Sequence, residues 1–532
     1  MPKKPSKKAA KEPCAIRGVH LDLKYHMPNK KYMLDWLKRL PGYGINAILL
    51  EYEDKFPFRK YPFLADPDAF SPDELRQFLA TARQSGLMVI PLVQTFAHLE
   101  FALAHPELAH LREKPEIMTK ICALKPEASL FVKDLLEEVL AFHKEDKYIH
   151  LGGDEVWHTG WCAQCQERIN QTSPIQWWVD HEKQFIAFAL SQGKRPIVWD
   201  DIFWQDFKQI DKVGLPPETI LHAWNYGITK LQAKDDGASD IEMGGAGKVL
   251  EQVEIYRKAG FDSVAGPCYN YGQLFTRHTH SLLNTQVWAQ KISSGGMLGM
   301  LNTAWAVFHL PLQVLNLYVA ATGEFCRKPD TALDTAWQEQ WLEREFGALA
   351  KGVPEALEAL GALWEIPMPA YGRSFTPLPF CYMNMVLHYP GRHEDRKLRG
   401  PYPLDWNEID FCAMYRKGVE ESKKYPEQAK LYAVLDEKLA AFPKAVAALQ
   451  ALAAKAGRNA DEARLLAVFA EFKLAALRVF SHLLRGDGDE RSLKKELERL
   501  DQPLQAALAQ AWEPVGRKRM WRAWWEPLYR AL

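Results

Sequence analysis

Two adjacent acids, Asp154 and Glu155, follow two glycines at the end of a short apolar stretch, YIHLGGDEVW (148–157). Two carboxyl groups this close in an apolar cleft cannot both ionise freely, so we expect one to hold a proton near neutral pH. A carboxyl group that holds its proton can act as a general acid. Gly152 and Gly153 are expected to leave room for a substrate. The pair is the first candidate for catalysis, with an acidic surface turn as the alternative.

Metal binding is a second kind of chemistry to weigh, because His150, His158, Cys162 and Cys165 surround the acid pair. The CxxC formed by the two cysteines has no second CxxC or HxxxH in the sequence to complete a zinc set. Eight cysteines without regular spacing are more typical of reduced thiols than of a disulfide framework. We therefore predict a loop with two free thiols, no metal and no cofactor.

Other polar and aromatic side chains stand where further short apolar runs end. They are His20 and Asp22, Glu51 with Glu53 and Asp54, Gln94 and His98, Trp199 with Asp200 and Asp201, Trp224 with Tyr226, Tyr269 with Tyr271, and Asn302 with Trp305. Any one of them alone would more often be structural. Their recurrence at every run end indicates a common site.

The runs themselves alternate with stretches of helical periodicity, which predicts strands and helices in turn. The predicted strands are 15–23, 47–53, 87–94, 148–155, 196–201, 219–226, 262–269 and 297–305. The predicted helices between them include 30–40, 127–143 and 71–86, the last with a capping box of Ser71 and Glu74.

Eight such β-then-α units predict an α/β protein with a closed (β/α)8 barrel over residues 15–330. A doubly wound open sheet is the alternative, but it would usually carry a glycine-rich dinucleotide fingerprint after its first strand, and none is present there. In a barrel, the carboxyl ends of all strands meet at one face. Residues hundreds of positions apart would therefore converge on one pocket.

The remainder of the chain has a different character. Residues 331–532 are predicted to form an all-α C-terminal domain, because 334–350, 429–457 and 461–486 are rich in Ala, Leu, Lys and Glu with helical spacing. A polar loop is predicted at 389–408, and a disordered basic tail at 1–14.

The overall charge argues against two classes of partner. The 67 basic and 67 acidic residues cancel, so bulk electrostatics favours neither nucleic acid nor an anionic membrane. The N-terminal stretch lacks the apolar run of a secretory signal, and no apolar window is long enough to span a bilayer. We expect a cytoplasmic protein, and a homodimer is compatible with the sequence.

The string HLGGDEVW (150–157) resembles the H-x-G-G-D-E signature of glycoside hydrolase family 20, the β-N-acetylhexosaminidases. The strings RGVHLDLK, LLEYEDKFPF and VIPLVQTFAHLEFAL resemble the hexosaminidase D-like branch of that family. The resemblance covers about residues 15–326. It implies an exo-acting enzyme that removes terminal GlcNAc or GalNAc from a small glycan or glycoconjugate.

The resemblance also implies a mechanism in which the 2-acetamido group of the substrate is the nucleophile, an exception to the two-carboxylate scheme. Glu155 would be the general acid and later the base, and Asp154 would orient the acetamido group and stabilise the oxazolinium ring. Either Tyr269 or Tyr271 would contact the acetamido oxygen. The complete set of substrate-binding residues expected is His20, Asp22, Glu53, His98, Trp199, Trp224, Tyr226, Tyr269, Tyr271 and Trp305.

The chain departs from the family pattern after the first strand, where many members carry an arginine that grips the sugar hydroxyls. Here the stretch is LDLKYHMP, so His20, Asp22 or Lys24 must replace the arginine, or the second strand must. Glu53 is the preferred candidate, because a carboxylate can accept hydrogen bonds from two adjacent hydroxyl groups.

Two rival functions remain open. A metal-dependent hydrolase on the same fold would take ligands from His20, Asp22, His98 and Asp154. Against it, the first strand lacks the usual HxH pair. A non-catalytic glycan-binding protein is the second rival, and it would have no use for an intact acid pair.

Overall fold

Eight parallel strands close into a barrel in the computed structural model, which describes residues 14–156, 160–229, 246–270, 272–306, 310–361, 367–368, 373–374, 406 and 409–532. The strands are β1 (Ile16–Asp22), β2 (Ala47–Glu51), β3 (Met88–Leu92), β4 (Tyr148–His150), β5 (Arg195–Trp199), β6 (Ile220–Trp224), β7 (Asp262–Gly266) and β8 (Gly299–Ala304). Each strand pairs with the next, and β8 pairs with β1. The predicted barrel is confirmed, although β4 ends at His150 rather than at Glu155.

The barrel strands are apolar almost without interruption because both of their faces are covered. All five residues of β2 are buried, for example, and Ile16, Leu49 and Leu301 belong to the layer of side chains that fills the barrel interior. Closure depends on Gly299, whose φ is 150° and where a Cβ would collide with the backbone oxygen of Ile16. Only glycine lets β8 approach β1 this closely.

Helices surround the barrel and fill the connections between its strands. They are α1 (Lys30–Arg39), α2 (Pro72–Gln84), α3 (Glu100–Leu103), α4 (Pro126–Phe142), α5 (Ala163–Gln171), α6 (Pro174–Ser191), α7 (Ala246–Lys258), α8 (His278–Ser293) and α9 (Leu312–Arg327). The predicted capping box of α2 is confirmed, since Ser71 Oγ accepts from the N–H of Glu74 and the Ser71 N–H donates to the Glu74 carboxylate.

Short pieces complete the barrel. The 3₁₀ turns are Leu40–Tyr43, Glu53–Lys55, Pro62–Leu64, Pro106–Leu111, Asp201–Gln205 and Phe207–Gln209, and the short strands are Cys268–Asn270, Gly272–Gln273 and Phe275–Thr276. Two of these turns, at Glu53 and at Asp201, follow barrel strands directly and therefore lie at the face where the strands end.

The chain beyond the barrel is helical, as predicted. Its helices are α10 (Thr335–Phe346), α11 (Val353–Gly361), α12 (Phe411–Lys423), α13 (Gln428–Lys455), α14 (Ala460–Arg485), α15 (Glu490–Ala511) and α16 (Pro514–Ala531), with a two-stranded ribbon of Pro367–Met368 and Arg373–Ser374. The predicted loop at 389–408 lies outside the described residues apart from Trp406, as does the tail at 1–14 apart from Cys14. The domain boundary at 330 stays a prediction.

The C-terminal helices pack against the barrel through polar contacts as well as a shared apolar core. On one side, Arg39 pairs with Glu462 of α14 at 2.7 Å, and Asn316 of α9 donates to the same carboxylate at 2.9 Å. On another, the N–H of Gly516 donates to Asp68, which lies in the β2–α2 connection. In the ranges that the structure describes, no helix is long and apolar enough to cross a membrane.

Candidate active site

The acid pair lies in the loop after β4, where the backbone turns sharply. Gly152, Gly153 and Glu155 have φ values of 68°, 86° and 53°, so three of four consecutive residues occupy the left-handed region. A non-glycine residue there costs free energy and persists only when its surroundings hold it. The strained conformation of Glu155 turns the chain out of the strand and into the mouth of the barrel.

The two glycines leave room for neighbouring side chains, and their role in leaving room for a substrate stays a prediction. A Cβ at Gly152 would collide with Gln94 Oε1, and one at Gly153 would lie 2.9 Å from the ring of Trp178. The Trp178 indole N–H donates to the Gly153 carbonyl oxygen at 2.8 Å. The glycines therefore let the loop pack tightly onto β3 and α6, which fixes the position of the acids.

His98 contacts both acids from the segment after β3. Its Nε2 lies 3.4 Å from Asp154 Oδ2 and 3.6 Å from Glu155 Oε2. Burial alone would lower the pKa of His98, but the Asp154 carboxylate above all, with Glu100 and Glu155, raises that pKa to about 10. The imidazole is therefore a cation near neutral pH, and it offsets the negative charge of the pair.

The two acids differ in their access to solvent. The side chain of Asp154 is 9% exposed, whereas that of Glu155 is 34% exposed. Asp154 therefore sits deep beside His98, and Glu155 stands toward the opening of the barrel. Two neighbouring carboxyl groups in such different surroundings can take different chemical roles.

Asp201 is a site residue that sequence reasoning noted at a strand end but did not include. Its Oδ2 accepts from the backbone N–H of Glu155 at 2.9 Å, and the side chain is fully enclosed. Burial, followed by the charge of Asp154, raises the pKa of Asp201 well above its ordinary value. The signal that could have found it is its position directly after β5, in the string VWDD.

Glu51, at the end of β2, organises the floor of the site next to the acid pair. Its carboxylate accepts from Gln94 Nε2 at 3.0 Å and lies 3.2 Å from His20 Nε2. Burial would raise the pKa of Glu51, but the contact with His20 outweighs burial and lowers it. Glu51, at the end of β2, therefore fixes the position of His20, a predicted site residue on β1.

Lys24 and Glu53 form a buried ion pair at the positions expected to bind hydroxyl groups. Lys24 Nζ lies 2.7 Å from Glu53 Oε1, and both side chains are at most 6% exposed. Burial would lower the pKa of Lys24, but Glu53 and then Glu100 raise it well above its ordinary value. Burial raises the pKa of Glu53 well above its ordinary value despite Lys24, so the ion pair rests on the short contact between the two groups. Glu53, like His98 and Glu155, has a positive φ, here 46°.

Asp22 joins two loops of the mouth. Its Oδ1 accepts from the backbone N–H of Lys24, and its Oδ2 accepts from the N–H of Ala306, each at 2.8 Å. Asp22 and Lys24 line a pocket together with His20 and Trp512, so the C-terminal helical region contributes to one wall of the barrel mouth.

The predicted aromatic side chains cluster at the ends of β5, β6 and β8. Trp199 is buried beneath the cluster, with its ring stacked on His222 at 4.0 Å and 5.9 Å from that of Trp305. Trp305 is only partly buried, and its indole N–H donates to the hydroxyl of Tyr226 at 3.1 Å. Trp224 packs on Tyr226, with ring centres 4.8 Å apart.

Trp204 extends this cluster and was not predicted. Its ring centre lies 4.6 Å from that of Trp224, and it comes from the 3₁₀ turn after β5. Asp200, which precedes that turn, accepts from the N–H of Trp224 at 3.4 Å and so connects the two strand ends. No periodicity distinguishes Trp204 in the sequence.

The structure describes one of the two tyrosines that were predicted to contact the acetamido oxygen. Tyr269 is fully buried and donates its hydroxyl to the backbone oxygen of His20 at 3.1 Å, so it ties the β7 end to β1. Tyr271 lies outside the described residues. A contact of either tyrosine with an acetamido oxygen stays a prediction.

The side chains that a metal-dependent hydrolase would use as ligands contact other groups instead of meeting at one point. His20 contacts Glu51, Asp22 accepts from backbone amides, and His98 contacts Asp154. Within the described ranges, the only group of His, Cys, Asp and Glu side chains close enough to share an ion is formed by three cysteines. Two of them are the CxxC, and the third is Cys122, which sequence reasoning missed.

The (β/α)8 barrel presents an acid pair and a group of aromatic rings at the face where its strands end. This architecture is typical of a glycoside hydrolase. The comparisons with known proteins agree. Residues 16–242 match the profile "Glycosyl hydrolase family 20, catalytic domain". These residues therefore resemble the glycoside hydrolase family 20 catalytic domain, as the HLGGDEVW string predicted, and the match supports a glycoside hydrolase of the hexosaminidase D-like kind.

The relatives define how far the similarity extends. "Hexosaminidase D" of Bos taurus is 29% identical over 306 residues, which are 54% of this chain and 84% of that protein. "Hexosaminidase D" of Homo sapiens is 31% identical over 316 residues, 55% of this chain and 60% of that protein. Among solved structures, Flavobacterium johnsoniae chitobiase aligns with a TM-score of 0.48 at 17% identity, covering 91% of this chain and 74% of its own.

Proposed function

We propose that this chain is an exo-acting β-N-acetylhexosaminidase that removes terminal GlcNAc or GalNAc from a glycan or glycoconjugate by substrate-assisted retaining hydrolysis. The observation that carries the proposal is the contact of His98 with both acids, one buried and one open to the barrel mouth. Such an arrangement gives two adjacent carboxyl groups separate roles. A cytoplasmic location and the oligomeric state stay predictions.

Asp154 is suited to hold the acetamido group. The His98 imidazole, which is cationic near neutral pH, lies 3.4 Å from Asp154 Oδ2 and fixes the position of that side chain. A carboxylate can accept the amide N–H of the acetamido group and so aim its carbonyl oxygen at the anomeric carbon. It also stabilises the positive charge that develops when the ring closes.

Glu155 is suited to be the acid. In the first step the acetamido oxygen bonds to the anomeric carbon, the glycosidic bond breaks, and Glu155 gives its proton to the departing oxygen. In the second step a water attacks the anomeric carbon, Glu155 takes its proton, and the oxazolinium ring opens. The 34% exposure of Glu155 fits contact with a leaving group and with solvent.

The aromatic wall would position the reacting groups. Trp224, Tyr226 and Trp305, with Trp199 buried beneath them, form one side of the mouth and can pack on an acetamido methyl group and on a sugar ring. Holding the internal nucleophile against the anomeric carbon makes attack unimolecular, with effective molarities that can reach about 10⁵ M or more.

The hydroxyl groups of the sugar would be recognised at β1 and β2. Glu53 Oε2 is buried and has no hydrogen-bond partner in the described residues, so it is available to accept from a sugar hydroxyl. Lys24 supplies positive charge in the place where the family pattern has an arginine.

The test is turnover of aryl N-acetyl-β-glucosaminide and N-acetyl-β-galactosaminide beside the aryl β-glucoside, with and without a thiazoline that mimics the oxazolinium ring. We expect turnover of the acetamido sugars alone and inhibition by the thiazoline. A metal-dependent hydrolase has no need of the acetamido group, so equal turnover of the glucoside would overturn the proposal. Binding of N-acetylhexosamines without any turnover would instead support the glycan-binding alternative.

A further inference from the structure

Three cysteines meet beside the loop that carries the acid pair. Cys122 lies before α4, and Cys162 and Cys165 lie at the start of α5. Cys122 Sγ is 3.9 Å from Cys162 Sγ and 3.7 Å from Cys165 Sγ, and all three sulfur atoms lie within 4.8 Å of one another. Cys122 and Cys165 are fully buried, and Cys162 is partly exposed.

These separations fit metal coordination. A tetrahedral zinc ion with Zn–S bonds of about 2.3 Å holds its sulfur ligands about 3.8 Å apart. A disulfide would require about 2.05 Å. We propose that Cys122, Cys162 and Cys165 form a binding site for a thiophilic divalent cation, with Zn²⁺ as the best fit, and that its fourth position on the side of Cys162 takes water or a small ligand.

The surroundings of the cluster suit anionic sulfur. The backbone N–H of Cys165 donates to Cys162 Sγ at 3.4 Å, which stabilises negative charge on that sulfur. Lys120 is buried beside the cluster, 4.0 Å over the ring of Trp161 and 3.2 Å from Glu113. Three thiolates and one dication leave a single negative charge, and the neighbouring Lys120 and Glu113 form an ion pair whose own charges cancel.

The ion would join the two segments that build the acid site. Leu99 donates its N–H to the Thr119 oxygen and Ile121 donates to the Phe96 oxygen, each at 3.2 Å. The Cys122 segment is thus hydrogen-bonded to the segment that presents His98.

On the other side, Cys162 follows Glu155 by seven residues in the same β4–α5 connection. A bound ion would therefore fix the position of His98 relative to Glu155 without contacting the substrate. It is a positioning site, and it is separate from the metal-hydrolase alternative, whose ligands would touch the substrate.

Metal analysis of the full chain tests the proposal. The protein is produced in zinc-supplemented medium, dialysed against metal-free buffer without chelator, and measured by inductively coupled plasma mass spectrometry. We expect about one zinc ion per chain, less than about one tenth of that amount in Cys122→Ser and Cys165→Ser, and an unchanged amount in Cys412→Ser. Cys412 lies on α12, outside the cluster.

A second measurement protects the test against variants that fail to fold. Wild-type protein loaded with Co²⁺ should show the near-ultraviolet charge-transfer absorption of cobalt–thiolate bonds. Absence of both zinc and this band from the wild type, or a disulfide found by mass spectrometry among the three cysteines, would overturn the proposal. Neither readout depends on turnover, so failure of the proposed activity would leave this result intact.

Discussion

The buried carboxylate of Asp201 accepts a hydrogen bond from the backbone N–H of Glu155, across 2.9 Å and between the ends of two adjacent strands. Glu155 has a φ of 53°, a conformation that a glutamate does not hold without support. Burial, followed by the charge of Asp154, raises the pKa of Asp201 well above its ordinary value, so burial disfavours a negative charge on this acceptor. We expect the position of Glu155 to depend on the hydrogen-bond acceptor at Asp201 more than on its charge.

Asp201→Asn should consequently retain most of the activity, because an amide oxygen can still accept the Glu155 N–H. Asp201→Ala removes the acceptor, and loss of a buried hydrogen bond costs about 1–3 kcal/mol, equivalent to about 5- to 150-fold in kcat. Steady-state kinetics on an aryl N-acetyl-β-glucosaminide distinguishes the two variants. Equal losses in both would show that the carboxyl group itself takes part in the chemistry.

Glu155→Gln should lower kcat by about 10²- to 10⁴-fold, because a general acid contributes on this scale. Substrate binding should persist, since the amide keeps the size of the side chain. A dinitrophenyl leaving group needs little protonation, so the loss of kcat for cleavage should shrink with that substrate. Glu107→Gln, at an exposed glutamate on another loop, is the control. A loss of binding with turnover of the bound fraction unchanged would contradict Glu155 as the acid.

His98 should set an alkaline limit to both stability and activity. Its folded-state pKa of about 10 lies above the ordinary value of 6.5, so its contribution to stability is complete below about pH 6.5 and is lost as pH rises through 10. We therefore expect the difference in free energy of unfolding between wild type and His98→Gln to shrink over that range in urea titrations.

We also expect kcat of the wild type to fall as pH approaches 10, and His98→Gln should lose that fall. His110→Gln replaces an exposed histidine and should leave both profiles unchanged. A parallel decline of wild type and His98→Gln at alkaline pH would show that another group titrates.

The Lys24–Glu53 pair should behave as a buried ion pair. Lys24→Met leaves the enclosed Glu53 carboxyl without its partner, and we expect a loss of about 3–5 kcal/mol in the free energy of unfolding. The double variant Lys24→Met with Glu53→Gln should recover part of that loss, because it buries no unpaired charge. Additive losses in the double-mutant cycle would argue against a coupled pair.

Sequence reasoning predicted the barrel because its strands are covered on both faces and read as apolar runs. It also predicted that His98 and the acid pair share a site, since strand ends converge whatever their separation along the chain. It could not predict the left-handed backbone at Glu53, His98 and Glu155, which neighbouring contacts impose on residues that disfavour it. Nor could it join Cys122 to Cys162, forty residues on, because no local spacing connects them.

Gly299→Ala should test the closure of the barrel. Gly299 combines a φ of 150° with a Cβ direction that points into the backbone of Ile16, so alanine must force β8 away from β1. We expect a destabilisation of more than about 3 kcal/mol in chemical denaturation, combining backbone strain with lost strand pairing. Gly42→Ala is the matched control, because a Cβ there meets no atom within 4 Å, and it should change stability by less than about 0.5 kcal/mol. Equal stability of the two variants would mean that β8 and β1 can separate without cost, and the barrel would then not be closed at that seam.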